Sequence, residues 1–407
     1  MNSLKVAVFL AFKSMTRGDW RVLLLTISML ILVYINLIFT PALLAGAVQE
    51  INEKTRDTLS GDVVVQSDNY PVITGAQEMV SAIESIDGVS AACARTSMGT
   101  EIRHGDDRVT AAVYAIDPEQ DSKVFDISQN ILEGEGSYLD PEDPNQILLG
   151  VQIAGADRDN LELYSSSLMT VHAGDNVTVY FANGFREFTV KGIFFTEFVQ
   201  SDIRAYITQA EYDDLSPLMQ DTATSIHVKL KPGANRDLII EQIQEMGLTD
   251  FGQPLRFQTW EDVLGVMRSM TKTLDQIITI LRTTALVVAS ITIFIVTYVD
   301  LVNKRRQIGI ERAIGITSAS IVLSYVLRGI IYAVFGVLAA ALIFVYAVMP
   351  IEAHNPFHFP FGDVMLAVDV STLTSSALIL CAVAIVSAFI PAWQTVRTKI
   401  IDAIWSS

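Results

Sequence analysis

Cysteine is nearly absent from this chain: Cys93 and Cys381 are the only two in 407 residues. A disulfide framework needs more. The two also fall in different compartments on the topology derived below, so both are expected to be free thiols. Basic residues are scarce beside acidic ones, 28 against 45, giving a formal net charge of −17. That balance argues against nucleic acid as a partner. The phosphate cradle Gly-x-x-x-x-Gly-Lys-[Ser/Thr] does not occur, and no lysine follows a glycine anywhere. The chain therefore supplies no ATP site of that kind by itself. His-Glu-x-x-His and Gly-x-Ser-x-Gly are missing too, and the serines within Tyr164–Leu168 show no nucleophile logic. His354 and His358 lie near Glu352 and Asp363, but Pro356 and Pro360 prevent the helix that would align them. A solvated loop is expected there. No catalytic residue, metal ligand set or cofactor is expected. Asn176-Val177-Thr178 is a glycosylation sequon inside an expected hairpin.

What the chain has in abundance is apolar sequence: 51% of its residues are hydrophobic. Four runs meet the length of about 20 apolar residues that a bilayer core requires. They are Val22–Val48, Ile277–Val302, Ile321–Met349 and Val370–Trp393. Arg282 and Arg328 intrude, each near one end of its run, where a long side chain is expected to snorkel to the headgroups. The N-terminal run ends on Ala45-Gly46-Ala47, like a signal-peptide cleavage site, but is too long for the apolar region of one.

Orientation follows from the bases. Lys5, Lys13, Arg17 and Arg21 precede the first run; Lys304, Arg305, Arg306 and Arg312 follow the second; Arg397 and Lys399 follow the fourth. The loop 351–369 carries Glu352, Asp363 and Asp369 and no lysine or arginine. Both termini are thus expected in the cytoplasm and residues of about 50–272 outside. That outer stretch holds 37 acidic and 16 basic residues, a net of −21, while the remainder holds 8 and 12, a net of +4.

These patterns predict an α-helical membrane protein with four transmembrane helices and a large α+β extracytoplasmic domain inserted between the first and second. The expected divisions are a cytoplasmic amphipathic elbow at 1–21, spans at 22–48, 276–302, 321–349 and 370–393, and a two-lobed outer domain with helical stalks at 49–275. A cytoplasmic loop or helix is expected at 303–320, an external loop at 350–369 and a cytoplasmic tail at 394–407.

Leu43, Leu44, Ala47, Val48 and Ile51 continue a helical stripe beyond the first span, and Gly61 suits the end of that stalk. Thr259-Trp260-Glu261-Asp262 resembles a capping box opening a second stalk through Val263, Val266, Met267, Met270 and Leu274. Between the stalks, strands are expected at Asp62–Gln66, Ala92–Ile102, Arg108–Ile116, Ser225–Leu230 and Leu255–Gln258. Helices are expected at Gly75–Ile86 and Arg236–Met246. A hairpin joins Asp175–Phe181 to Phe185–Ile193 across Ala182-Asn183-Gly184.

The segment 303–320 reads NKRRQIGIERAIGITSAS. On a helix, Ile310, Ala313, Ile314, Thr317 and Ile321 form one narrow apolar stripe, with Arg305, Arg306, Glu311 and Arg312 around it. Gly315 suits a left-handed turn into the third span. Such a helix can lie on anionic headgroups or dock into a groove on a cytosolic protein. Glu311 inside the basic frame favours the protein.

Lys304–Gly315, KRRQIGIERAIG, resembles the signature loop of FtsX/MacB-like ABC transporter permeases, a basic run before a Glu-Ile-Gly-type core and an Arg-Ala-(Leu/Ile)-Gly ending. Gln307 stands where an acidic residue is frequent and Glu311 where an apolar one is usual. Pro391-Ala392-Trp393-Gln394 through Asp402-Ala403-Ile404 is similar to the family's closing run, with Ile400-Ile401 in place of its usual proline. Leu4–Ile38 resembles its entry segment, an elbow with Leu4, Val8, Ala11, Phe12 and Met15 on one face. Leu148-Leu149-Gly150, Gly174-Asp175 and Gly192-Ile193 resemble its outer domain.

The resemblance implies a non-enzymatic permease subunit of the cell membrane, with the ATPase on a separate chain. ATP hydrolysis there would move the outer domain, a mechanotransmission that exports or releases a substrate at the outer face. The alternative is a signalling or scaffold subunit that activates an external partner and transports nothing. The implied partners are the ATPase, a second permease copy, membrane lipid and an external adaptor or substrate protein. The implied ATPase-docking residues are Arg305, Arg306, Ile308, Gly309, Ile310, Glu311, Arg312, Ala313, Ile314 and Gly315. Gly336-x-x-x-Ala340 and Ala384-x-x-x-Ala388 have helix-packing spacing and are equally compatible with lipid-facing positions.

Overall fold

The computed structural model describes residues 3–16, 20–142, 144–155, 166–250, 253–263, 265–359 and 362–397. Arg17, Tyr164, Ser165, Pro360, Lys399, Ile400, Ile401, Asp402, Ala403 and Ile404 lie outside them, as do the side chains of Leu4, Met15, Val266, Met267 and Met270. The chain divides into two compact units. One comprises Met1–Val48, Thr271–Phe357 and Val364–Ser407; the other comprises Gln49–Met270 and His358–Asp363.

The first unit is helical. Among the described residues, Leu23–Ser60, Lys272–Asn303, Ser318–His354 and Val370–Val396 are long and apolar enough to cross a bilayer. Their inward faces are built from residues such as Tyr34, Leu37, Ile38, Ala289, Ala340, Phe344 and Leu380, all nearly or fully buried. The small residues pack helix on helix. A Cβ on Gly336 would stand 2.8 Å from Leu30 Cβ, and one on Gly329 would stand 3.0 Å from Ala388 Cβ. Ala340, Ala384 and Ala388 are wholly buried, so both small-residue pairs are packing positions rather than lipid-facing ones. Polar contacts reinforce the bundle: Ser290 and Ser387 share a 2.7 Å hydrogen bond, and Tyr34 donates to the Leu373 carbonyl at 2.9 Å. Gly46 admits the segment beyond Val364, because a Cβ there would fall 1.8 Å from the Met365 carbonyl oxygen. Ala367 N–H then donates to the Ala42 carbonyl at 3.1 Å.

The second unit is α+β. Its strands are β1 (Val63–Ser67), β2 (Ile73–Thr74), β3 (Val89–His104), β4 (Asp107–Ile116), β5 (Ile131–Gly136), β6 (Gln146–Gly150), β7 (Asn176–Phe181), β8 (Gly184–Phe194), β9 (Arg204–Thr208), β10 (Thr222–Ala223), β11 (Ser225–Leu230), β12 (Thr249–Asp250) and β13 (Gln253–Thr259). Eleven of them form one sheet in the order β12-β13-β1-β11-β3-β4-β9-β6-β8-β5, with β7 on β3 and β8. The pairs β4–β9 and β6–β8 are parallel; the rest of that order is antiparallel.

Two distant β-α-β-like segments interleave here. β13 and β11 flank β1, and β11 in turn pairs with β3. Helices Ala76–Glu84 and Arg236–Glu245 share one core through Met79, Val80, Ile83, Ile239 and Ile243 over Val63, Val65, Ile226 and Val228. A second core lies under β4, β6, β7, β8 and β9, with Val113, Leu149, Val179, Phe188 and Ile207 at its centre.

Several local expectations need correction. The helix after Thr259 is not one continuous stalk: it stops at Val263, and a second begins at Val266. Thr259 N–H and Oγ1 both donate to the Asp262 carboxylate, at 3.1 and 3.0 Å, but Gly265 at φ +46° breaks the run. The expected stripe from Ile310 to Ile321 is divided between two helices, Arg305–Ala313 and Ser318–Ile343. Ile321 is buried while Ile310 is half-exposed. The elbow face also divides: in helix Ser3–Thr16, Ala7 and Ala11 are buried, whereas Val8, Phe9 and Phe12 point outward. Arg328 does not snorkel. It is buried and paired within the bundle, and Arg282 Nη2 donates to Ser376 Oγ at 3.2 Å.

Candidate functional site

The helix Arg305–Ala313 is short because both ends are fixed by local chemistry. At its C-terminus, Gly315 N–H bonds the Arg312 carbonyl and Ile316 N–H bonds the Glu311 carbonyl, each at 3.1 Å. With Gly315 at φ +97°, this is a Schellman motif: two orphan carbonyls are satisfied, and only glycine takes that backbone without strain. Thr317 then caps the next helix, its hydroxyl accepting from Ser320 N–H at 3.4 Å.

At the other end Lys304 enters a polar lock. Its Nζ lies 2.8 Å from Asp300 Oδ1 and donates to Ser14 Oγ at 3.0 Å. Arg328 Nη1 donates to Asp300 Oδ2 at 2.6 Å and to Ser14 Oγ at 2.9 Å, and its guanidinium lies 3.7 Å from the Tyr325 ring centroid. One carboxylate thus ties two cations from two helices, and a serine from the elbow joins both.

Of the ten docking residues the sequence singles out, Ile308 and Gly309 face inward. Ile308 packs with Leu301, Ile321, Tyr325, Ala392 and Val396. They anchor the helix. Ile310 is 49% exposed and Ile314 74%, and Ala313 and Gly315 are exposed beside them. Arg306 is exposed; Arg305, Glu311 and Arg312 are half-buried, and Glu311 accepts from the Gln307 amide at 3.0 Å. The helix therefore has an anchored face and an apolar outward face within a charged frame. Sequence reasoning missed Ser14 and Asp300. An acidic residue close before the basic run, able to pair with it, was the available signal for Asp300.

The second unit contains buried polar groups whose arrangement is structural. Arg95 donates from Nε and Nη2 to the two Asp121 oxygens at 2.7 and 3.0 Å, and Tyr138 Oη donates to Asp121 Oδ2 at 3.1 Å. The Phe125 ring centroid lies 3.4 Å from the guanidinium carbon. Burial raises the Cys93 thiol well above its usual range, and the neighbouring Asp121 carboxylate adds to this, so the thiol is unreactive.

Ser225 Oγ lies 2.9 Å from His227 Nε2, and His227 Nδ1 is 2.9 Å from the Ser60 carbonyl. Desolvation, with a contribution from the Arg95 charge, lowers His227 to about 3. A buried imidazole held neutral so far below its ordinary value is a poor general base. Among the described residues no group of three or more His, Cys, Asp or Glu side chains is placed to hold a metal ion. His354 Nδ1 bonds the Pro350 carbonyl at 2.8 Å, Glu352 accepts from Leu366 N–H, and His358 pairs with Asp363.

Comparison with known proteins accounts for both units. Residues 23–246 match the family model of the MacB-like periplasmic core domain, and residues 280–400 match that of the FtsX-like permease C-terminal domain. Among solved structures, the periplasmic region of MacB from Actinobacillus actinomycetemcomitans aligns at 14% identity and a TM-score of 0.37, covering 54% of this chain and 98% of that one. The extracellular domain of the transporter YknZ from Gram-positive bacteria aligns at 11% identity and a TM-score of 0.32, covering 49% and 97%. No curated protein matches the chain. With more than half of its length matched by the first family model and most of the remainder by the second, the chain belongs to the FtsX/MacB-like ABC transporter permeases.

Proposed function

We propose that this permease couples ATP hydrolysis by a separate ABC ATPase to motion of its extracytoplasmic unit. On this reading the helix Arg305–Ala313 is the ATPase-docking element, in the cytoplasm. The observation that carries it is the helix's divided surface: Ile308 anchored, Ile310 and Ile314 outward, both ends fixed. An apolar pair held on a rigid, charge-framed helix suits a groove on a folded protein.

The outward branch uses the first span helix, which runs without a break from Trp20 to Lys54 despite Pro41. It continues through the wider turn Thr55–Ser60 to Gly61, where φ is +67°. A continuous helix transmits tilt or displacement that a loose linker would absorb. Work at the outer face, whether export or release of a substrate, fits this arrangement better than solute conduction. Polar side chains of the spans are engaged within the protein: Thr297 and Ser324 are buried, Ser324 Oγ bonds the Ile321 carbonyl at 2.7 Å, and the Thr279, Thr283, Thr284 and Thr292 hydroxyls bond carbonyls of their own helix.

The test is co-purification of the native complex. Ile310→Asp and Gly315→Pro should each lower ATPase recovery while the chain still inserts and its outer unit stays folded. Undiminished recovery with both variants would remove the docking assignment. Two permease copies per complex and cytoplasmic termini belong to the same proposal. A membrane-impermeant thiol probe on a cysteine introduced at exposed Arg306 should react only after permeabilisation.

A further inference from the structure

A cavity of about 410 Å³ lies between the elbow helix Ser3–Thr16, the helix Arg305–Ala313 and the first turns of Ser318–Ile343. That size suits a small ligand or a headgroup. Three cations line it, Lys13, Lys304 and Arg328. The nearby carboxylates are already engaged: Asp300 is shared by Lys304 and Arg328, and Glu311 accepts from Gln307.

Arg328 is the residue that points to a ligand. Its side chain is only 7% exposed, so it is enclosed by protein. Its Nη1 is satisfied by Asp300 and Ser14, but its buried Nε has no hydrogen-bond partner among the described residues. A buried donor left unmade is costly, more so on a charged group. The site is short of an oxygen-rich anion, and guanidinium with ammonium groups is the donor set that phosphate takes.

The mouth of the cavity says which phosphate. Phe9 lines the cavity and is 61% exposed, on the outward face of the elbow that also carries Val8 at 51% and Phe12 at 68%. Lys13 Nζ stands 5.2 Å over the Phe9 ring, where apolar surface and charge meet. A free phosphate would use the cations and leave this apolar face unused. A phospholipid would use both, with its chains along Val8, Phe9 and Phe12.

We propose that this cavity binds the phosphate of a membrane phospholipid, held by Lys13, Lys304 and Arg328, so that a lipid bridges the elbow to the helix Arg305–Ala313. Ile314 also lines the cavity, so the site borders the outward face used in docking, but lipid binding by the chain alone does not depend on the ATPase.

The experiment is native mass spectrometry of the full chain released from detergent and titrated with dioleoylphosphatidylglycerol, dioleoylglycerol or inorganic phosphate. One phosphatidylglycerol should be retained per chain, dioleoylglycerol should not, and millimolar phosphate should not displace the lipid. Lys13→Gln, at an exposed position, should weaken retention about tenfold, and Lys13→Gln with Lys304→Gln further still. Equal retention of dioleoylglycerol, displacement by inorganic phosphate, or undiminished retention by both variants would each overturn the proposal; displacement by phosphate would identify a free-anion site instead. ATPase recovery is scored on the same preparations. Its loss from the wild type would count against the docking reading and leave the lipid result standing.

Discussion

Truncating the outward face of the helix Arg305–Ala313 tests the docking reading most directly. Ile310→Ala with Ile314→Ala removes the apolar pair without breaking the helix, since alanine is the best helix former. Full burial of an isoleucine side chain is worth about 1.5–3 kcal/mol. Scaled by the 49% and 74% of each residue that is exposed and available to a partner, the loss comes to about 1 kcal/mol at Ile310 and about 2 at Ile314. Together this is roughly a hundredfold in dissociation constant, at 1.4 kcal/mol per factor of ten. The assay is binding of the purified ATPase to the permease in nanodiscs, followed by light interferometry, with thermal unfolding as a control. The double variant should unfold as the wild type does and bind about a hundredfold more weakly. Ile308→Ala should show the reverse pattern, losing about 2–5 kcal/mol of stability because its side chain is buried under Tyr325 and Val396. Wild-type affinity in the double variant would refute the assignment of this face.

The second unit carries two opposed pH responses. Desolvation pushes Asp202 up to about 7 even though Thr196 N–H and Oγ1 donate to it. The folded chain therefore keeps a proton that the unfolded chain has lost, and this contribution is full below about pH 4 and lost as pH rises through about 7. Asp202→Asn should abolish that slope in the variant, so that the wild-type-minus-variant difference in unfolding free energy falls between about pH 4 and 7, and a parallel pair of curves would refute it. His227, lowered to about 3, contributes stability above about pH 6.5 that is lost as pH falls toward 3; His227→Gln should flatten that limb in acid titrations followed by circular dichroism. Asp121→Asn leaves Arg95 buried without its counter-charge and should cost about 3–5 kcal/mol by denaturant titration, whereas Arg95→Met with Asp121→Leu should recover most of it. Gly46→Val puts side-chain atoms where the Met365 carbonyl lies and should cost about 1–3 kcal/mol, seen as a lower thermal midpoint in detergent.

Local chemistry made some of the fold legible in the sequence. Asn183-Gly184 marks the turn between β7 and β8 as a strong hairpin signal does. Gly315 was recognisable as a left-handed turn because glycine takes that backbone without strain, although the apolar stripe read past it to Ile321 hid that the helix ends there. The sheet order was not legible. Strand periodicity says which face is buried and nothing about which strand lies beside it, and β1 pairs with β11 and β13, each more than 150 residues later in the chain. The break before Val266 had a signal, Gly265, that the caps at Thr259 and Asp262 outweighed. Arg328 was misjudged for a different reason. Its nearness to a span end suits snorkelling, and its partners are 28 residues away at Asp300 and 314 away at Ser14. No window along the chain contains that lock.

The lock matters to how the docking helix would work. A helix of nine residues passes on a displacement only if neither end yields first. The Schellman turn at Gly315 stiffens one end through two backbone hydrogen bonds, and the Lys304–Asp300–Arg328 pairing with Ser14 stiffens the other. Asp300 closes the helix Val266–Asn303, while Arg328 lies a few turns into Ser318–Ile343. Displacement entering at Ile310 and Ile314 therefore reaches two span helices at once, through one carboxylate. On the proposed reading this shared carboxylate, more than the exposed isoleucines, decides whether the two spans move together. Asp300→Asn, which keeps the shape and removes the charge, should leave ATPase binding near the wild-type value while lowering the coupled response of the outer unit. Unchanged coupling with unchanged binding would show that the spans are tied by packing around Leu301 and Tyr325 instead.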